Sequence, residues 1–169
     1  MVQKSKELKS DTWMIIMSDK LNKIKWFSWG LVLVWMGIIF FFSHQTASES
    51  SELSSGVMNV IFNIVSFISP VDISEDFLHF LVRKGAHFTV YFVLGVLIIH
   101  ALFRCVHWKK DVIFATTISI LYAISDEVHQ LFIPGRSGEV RDVFIDSSGA
   151  IIGIFSYVLI RFFLLKRNR

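Results

Sequence analysis

The chain has 169 residues, of which 53% are hydrophobic, a mean hydropathy of +0.57 and a net charge of +3. A soluble core of this size does not need so much apolar surface, so the composition argues for an integral membrane protein and against a soluble globular or nucleic-acid-binding domain. The one cysteine, Cys105, excludes an intramolecular disulfide and a CxxC metal site, and reads as a packing residue.

Residues 1–25 form a polar, lysine-rich tail with a short apolar patch at 13–17 that can touch lipid headgroups. No cleavable signal peptide is expected, because the first apolar run of useful length starts near Trp26. That run, about 26–42, is the first predicted spanning helix, with Trp26 and Trp29 at an interfacial belt position. The connection 43–83 opens on a polar stretch, His44 to Glu52. Val57, Val60, Ile61, Ile64, Val65 and Ile68 then recur at helical spacing, with Asn59, Asn63 and Ser66 opposite. This segment is too short to span, so an amphipathic helix on the outer leaflet or over the bundle is expected, ended by Pro70.

Ser74, Glu75 and Asp76 read as a helix start with acids in the first turn. The second spanning segment, about 85–106, continues a helix that begins outside the membrane. The third is about 112–133. Its uninterrupted apolar part, 112–125, would cover only roughly 21 Å at about 1.5 Å per residue. A bilayer core is about 30 Å thick, so the helix must run on through Asp126, Glu127, His129 and Gln130. Pro134, Gly135 and Gly138 mark a turn into the fourth segment, about 142–165, and 166–169 is a basic end.

Charge sets the expected orientation. Lysines crowd the N-terminal tail, Arg104, Lys109 and Lys110 lie between the second and third segments, and Arg161, Lys166, Arg167 and Arg169 end the chain. The other two connections carry only Arg83, Lys84, Arg136 and Arg141. The positive-inside rule then places both termini in the cytosol, which four spans satisfy. The expected organisation is all-α: a basic tail at 1–25, a four-helix membrane bundle at 26–165 and a basic end at 166–169. The expected partner is the lipid bilayer of a cell membrane, with no nucleic acid.

Polar groups gather at the outer end of three helices. Lys84, His87 and Tyr91 are spaced i, i+3, i+7 and share a face. Asp126 and Gln130 are i, i+4, with Glu127 beside them. Asp142 and Asp146 are again i, i+4, and Gly149 and Gly153 continue that stripe as a GxxxG pattern that lets a neighbouring helix approach closely. The turn can bring Arg136, whose fork suits a carboxylate or phosphate, over the cluster. Ion pairs that only lock helices together are the competing reading. Against it, a charge costs about 2.5–3.5 kcal/mol at a helix centre on insertion scales, so an intramembrane carboxylate is a functional candidate by default. His100 and His107 read as packing or interfacial residues, and Arg161 as a snorkelling one. His87 and the carboxylates lack a recognised metal-ligand spacing, so neither a metal nor another cofactor is expected.

These residues resemble a known family. Arg83, Lys84, His87, Phe88 and Tyr91, with Leu94 and Gly95, resemble its "RKxxHFxxYxxLG" segment. Asp126, Glu127, Gln130, Phe132, Pro134, Gly135 and Arg136 carry its "DExxQxFxPGR" segment. Asp142, Asp146, Gly149 and Gly153 carry its "DxxxDxxGxxxG" segment, and Phe42, Ser43 and Gln45 its "FSxQ". The chain therefore resembles the VanZ-like family of small bacterial membrane proteins over roughly 26–165. It departs at Val90, where many members have Glu; Asp146 fits the motif but stands where other members have Asn. The resemblance implies a role in the cell envelope, since the namesake is linked to resistance to the lipoglycopeptide teicoplanin, and it implies no established reaction. Three functions follow as alternatives: a non-catalytic envelope protein that alters how such drugs or their lipid-linked targets behave, a membrane enzyme acting on a phosphorylated lipid headgroup, and a cation or proton pathway. In the enzyme His87 would be base or nucleophile, and Lys84 and Arg136 would bind phosphate. The pathway is weakest, because only His100 offers a relay in the inner half.

Overall fold

A chain of this hydropathy in lipid must satisfy its backbone hydrogen bonds within each segment, which leaves the helix as the spanning form. The computed structural model describes residues 25–50, 52, 55–56, 60, 74–103 and 107–167. Among them are four helices long and apolar enough to cross a membrane, and no strand. They are α1 (Lys25–Ser43), α2 (Glu75–Leu102), α3 (Trp108–Gln130) and α4 (Val140–Arg167). All of the expected amphipathic helix at 57–68 except Val60, nearly all of the basic tail, and Cys105 lie outside the described residues.

The bounds differ from the hydropathy reading where polar residues join a helix. Helix α2 starts at Glu75, where Ser74, Glu75 and Asp76 read as a helix start, and it runs through Arg83 and Lys84 before the apolar segment begins at 85. It stops at Leu102, not 106, and Phe103 leaves it with an extended ψ of 118°. Helix α3 takes Trp108, Lys109, Lys110 and Asp111 as its first turn, with the acid where the helix dipole favours it. It ends at Gln130, not 133. The amides of Phe132 and Ile133 bond back to the carbonyls of His129 and Gln130, each at 3.0 Å, which tightens the chain into a turn. Helix α4 begins at Val140 and absorbs Lys166 and Arg167, cations suited to a helix C-terminus. Lys25, too, is helical rather than part of the tail.

Contacts define an up-down-up-down bundle in which α2 and α4 run parallel. Lys84 meets Asp142, and His100 meets Tyr157 further along the same two helices. Their seam is built on glycine. A Cβ on Gly149 or Gly153 would collide with the backbone carbonyl of Phe88 or Phe92, and one on Gly95 with that of Ala150. Close backbone approach of this kind is what holds helices together where lipid offers no hydrophobic drive between them. The core around the seam is Tyr91, Leu94, Ile98, Ala150 and Ile154, all fully buried. Helix α3 contributes a stripe of small buried residues, Ala115, Ser119 and Ala123. Helix α1 is tied on by two side chains that reach its neighbours: Trp35 Nε1 donates to the Val90 carbonyl at 2.9 Å, and Tyr122 donates to the Met36 carbonyl at 2.6 Å. Leu33, Phe41, Phe114, Leu121, Phe155 and Phe163 point outward, as lipid-facing residues should.

Candidate functional site

The antiparallel connections bring the C-terminal ends of α1 and α3 and the N-terminal halves of α2 and α4 to one end of the bundle. The polar residues of the sequence motifs lie there. Two neighbouring arrangements share His87.

The first is a buried polar layer between α2, α3 and α4. Lys84 Nζ donates to Asp142 Oδ1 at 2.5 Å and to Glu139 Oε2 at 3.4 Å. The Lys84 and Asp142 side chains are 11% and 2% exposed. One turn deeper, His87 Nδ1 lies 3.3 Å from Asp146 Oδ1. That is ion-pair distance without hydrogen-bond alignment; both Asp146 oxygens are buried and have no hydrogen-bond partner among the described residues. Glu127 faces them from α3. Its Oε2 accepts the Glu139 backbone N–H at 2.9 Å, where a carboxylate complements the start of α4. Its Oε1 accepts from Gln130 Nε2 at 3.4 Å.

The second arrangement is a cavity of about 420 Å³ between α1, α2 and α3. Ile39, Phe42, Val82, Ala86 and Val90 form apolar walls, and Ser43, His87, Tyr91, Asp126, Gln130 and Arg136 a polar head. Phe42, Arg83 and Ala86 on its wall are exposed, so it can be reached from outside the bundle. Asp126 lines the same head as Ser43 and Tyr91, whose hydroxyls are buried without a hydrogen-bond partner among the described residues. Size and lining fit a small-molecule site, mostly apolar with a few converging polar groups.

Arg136 reaches the polar cluster through Gln130 and gives its other hydrogen bonds to main-chain carbonyls rather than to carboxylates. Its Nε donates to the Gln45 carbonyl at 2.9 Å, Nη2 to the Phe42 carbonyl at 3.2 Å and Nη1 to Gln130 Oε1 at 3.4 Å. It thus caps the end of α1 and joins it to the end of α3, with part of its fork left for the cavity. Burial and nearby Arg83 pull this loop guanidinium down from its ordinary value, while Asp126 and Glu127 pull it back. The same rim carries a capping box. Thr46 N and Oγ1 both donate to Glu49 Oε2 at 2.9 Å, and Glu49 N donates to Thr46 Oγ1 at 3.4 Å, which holds the Glu49 carboxyl below its usual range.

Sequence reasoning missed three features of this region. Trp35 and Tyr122 bridge helices through backbone carbonyls; the available signal was a polar-tipped aromatic inside a span, which needs a partner. His44 Nδ1 and His129 Nε2 meet at 3.2 Å across α1 and α3, and Phe40 stacks on His129 with centroids 4.6 Å apart. No local spacing announces that pair.

Four apolar helices with a polar end and an accessible cavity define a multi-pass helical membrane protein. The chain belongs to the VanZ/LLP1 family, whose model matches residues 27–161. No curated protein and no solved structure matches it.

Proposed function

We propose that the protein acts in the bacterial cell envelope by holding an amphiphile with an anionic head in the cavity at the motif-bearing end, and that this end faces outward. Holding such a molecule changes how teicoplanin-type lipoglycopeptides or their lipid-linked targets behave at that surface. The observation that carries the reading is the cavity itself: apolar walls for a chain, with Arg136 and the Gln130–Asp126–His87 group at its head. The drug class is taken from the family's namesake, which is linked to teicoplanin resistance.

The test is to express the protein in a susceptible Gram-positive cell and compare teicoplanin with a glycopeptide that lacks a lipid tail. Wild type is expected to protect more against the tailed drug, since each buried methylene adds about 0.8 kcal/mol of membrane partitioning. Ala86→Phe, on the exposed cavity wall, fills the cavity without touching a charge and is expected to abolish protection at equal membrane abundance. Equal protection by the variant rules out the cavity as cause.

A second reading has its own observation. An imidazole on the cavity wall with a carboxylate 3.3 Å from its Nδ1 is the pairing of a general base, which favours an enzyme acting on a phosphorylated lipid headgroup. Mass spectrometry of lipid extracts with and without the protein separates the two, because only the enzyme changes the lipids.

A further inference from the structure

Asp146 and Glu127 are two carboxylates that share one imidazole, His87, and neither is ion-paired with a lysine or arginine among the described residues. Both are buried, at 0% and 5% exposure. The lysine and arginines nearby are occupied elsewhere, Lys84 by Asp142 and Glu139, Arg141 by Glu139, and Arg136 by two carbonyls and Gln130, which leaves His87, 3.3 Å from Asp146, and a single imidazole cannot balance two carboxylates. Buried charges in proteins are paired or coordinate metal ions. Asp146, fully buried, keeps two oxygens without a hydrogen bond among the described residues.

We propose that His87, Glu127 and Asp146 form a divalent metal site, with Zn²⁺ the ion that best fits the donors. One ligand comes from each of α2, α3 and α4, and the donor atoms all lie within 4.8 Å of one another. Ligands about 2.0–2.2 Å from one ion span at most roughly 4 Å, so small side-chain rotations close the set. A neutral imidazole and two carboxylates sum to a charge that a divalent cation cancels. An imidazole disfavours Mg²⁺ and Ca²⁺, which take oxygen ligands, and the absence of thiolate disfavours Cu⁺. Three protein ligands leave a fourth position, the pattern of zinc sites that bind a further molecule. His87 also lines the cavity, so that position lies at its edge. The site stands whether or not the cavity holds an amphiphile.

The experiment uses the full chain in detergent micelles, stripped with chelator and titrated with Zn²⁺ alone. One ion per chain is expected, with a rise in the thermal midpoint. Co²⁺ in its place should give visible d–d bands. His87→Gln and Asp146→Asn are each expected to weaken Zn²⁺ binding at least 100-fold while retaining a cooperative melt without metal. Glu127→Gln is the second carboxylate probe should Asp146→Asn fail to melt cooperatively. His44→Gln removes the other histidine pair and should leave binding unchanged. No Zn²⁺ binding by wild type overturns the proposal. So does binding that survives loss of His87, binding lost with His44, or equal saturation by Mg²⁺.

Discussion

Lys84→Met is the sharpest probe of the buried polar layer. Lys84 neutralises two carboxylates in unequal surroundings. Glu139 is 39% exposed and can turn to water, whereas Asp142 is 2% exposed and cannot. The loss is therefore dominated by Asp142, stranded without its cation. Breaking a buried pair from one side costs about 3–5 kcal/mol, roughly two to nearly four orders of magnitude in the unfolding equilibrium. Replacing both partners with apolar residues of similar volume is often neutral or stabilising by about 1–4 kcal/mol, so Lys84→Met with Asp142→Leu should recover most of the loss. Arg141 provides an internal comparison. Its pair with Glu139 is 60% and 39% exposed, and Arg141→Met should change stability by less than about 1 kcal/mol. The assay is reversible unfolding in mixed micelles as denaturing detergent is raised, followed by tryptophan fluorescence. A Lys84→Met cost no larger than that of Arg141→Met, or a double variant no better than the single, refutes the argument that burial governs this layer.

Two further outcomes are expected. Gly149→Ala should destabilise by about 1–3 kcal/mol in the same assay, because its Cβ meets the Phe88 carbonyl and the α2–α4 seam must widen; an unchanged midpoint would mean the helices do not touch there. In a Cys105→Ser background, cysteine at exposed Ser137 should react with an impermeant thiol reagent on intact cells and cysteine at Lys166 should not; the reverse pattern places the site end in the cytosol.

The bundle was readable because lipid leaves so few structural options: sustained apolar runs and internally satisfied backbones yield helices, and four of them follow from length alone. Their ends were less readable. The start signal at Ser74, Glu75 and Asp76 marked where α2 begins even though hydropathy drops at Arg83 and Lys84, but nothing marked that α2 stops at Leu102 or α3 at Gln130. Which polar residues share a face followed from spacing, as for Lys84 and His87 or Asp142 and Asp146. Which face meets which did not. That Asp142 faces Lys84 while Asp146 faces His87 depends on the register of α2 against α4, and the register is set where glycine lets carbonyls close in. Arg136 is the clearest gap. Its partners are mostly main-chain carbonyls, which every residue possesses and no sequence pattern marks.

The Lys84–Asp142 pair also says something about how the chain must be made. Its members are 58 residues apart, in the second and fourth helices. At synthesis rates of about 5–20 residues per second, the ammonium emerges roughly 3–12 s before its carboxylate exists. During that interval α2 carries an uncompensated charge near its membrane end. It must be tolerated at the surface, or be shielded by the insertion machinery, until α4 arrives. The last helix is thus the one that completes the charge balance of the second, and a nascent chain halted in the loop before α4 would be a poor candidate for stable residence in the bilayer.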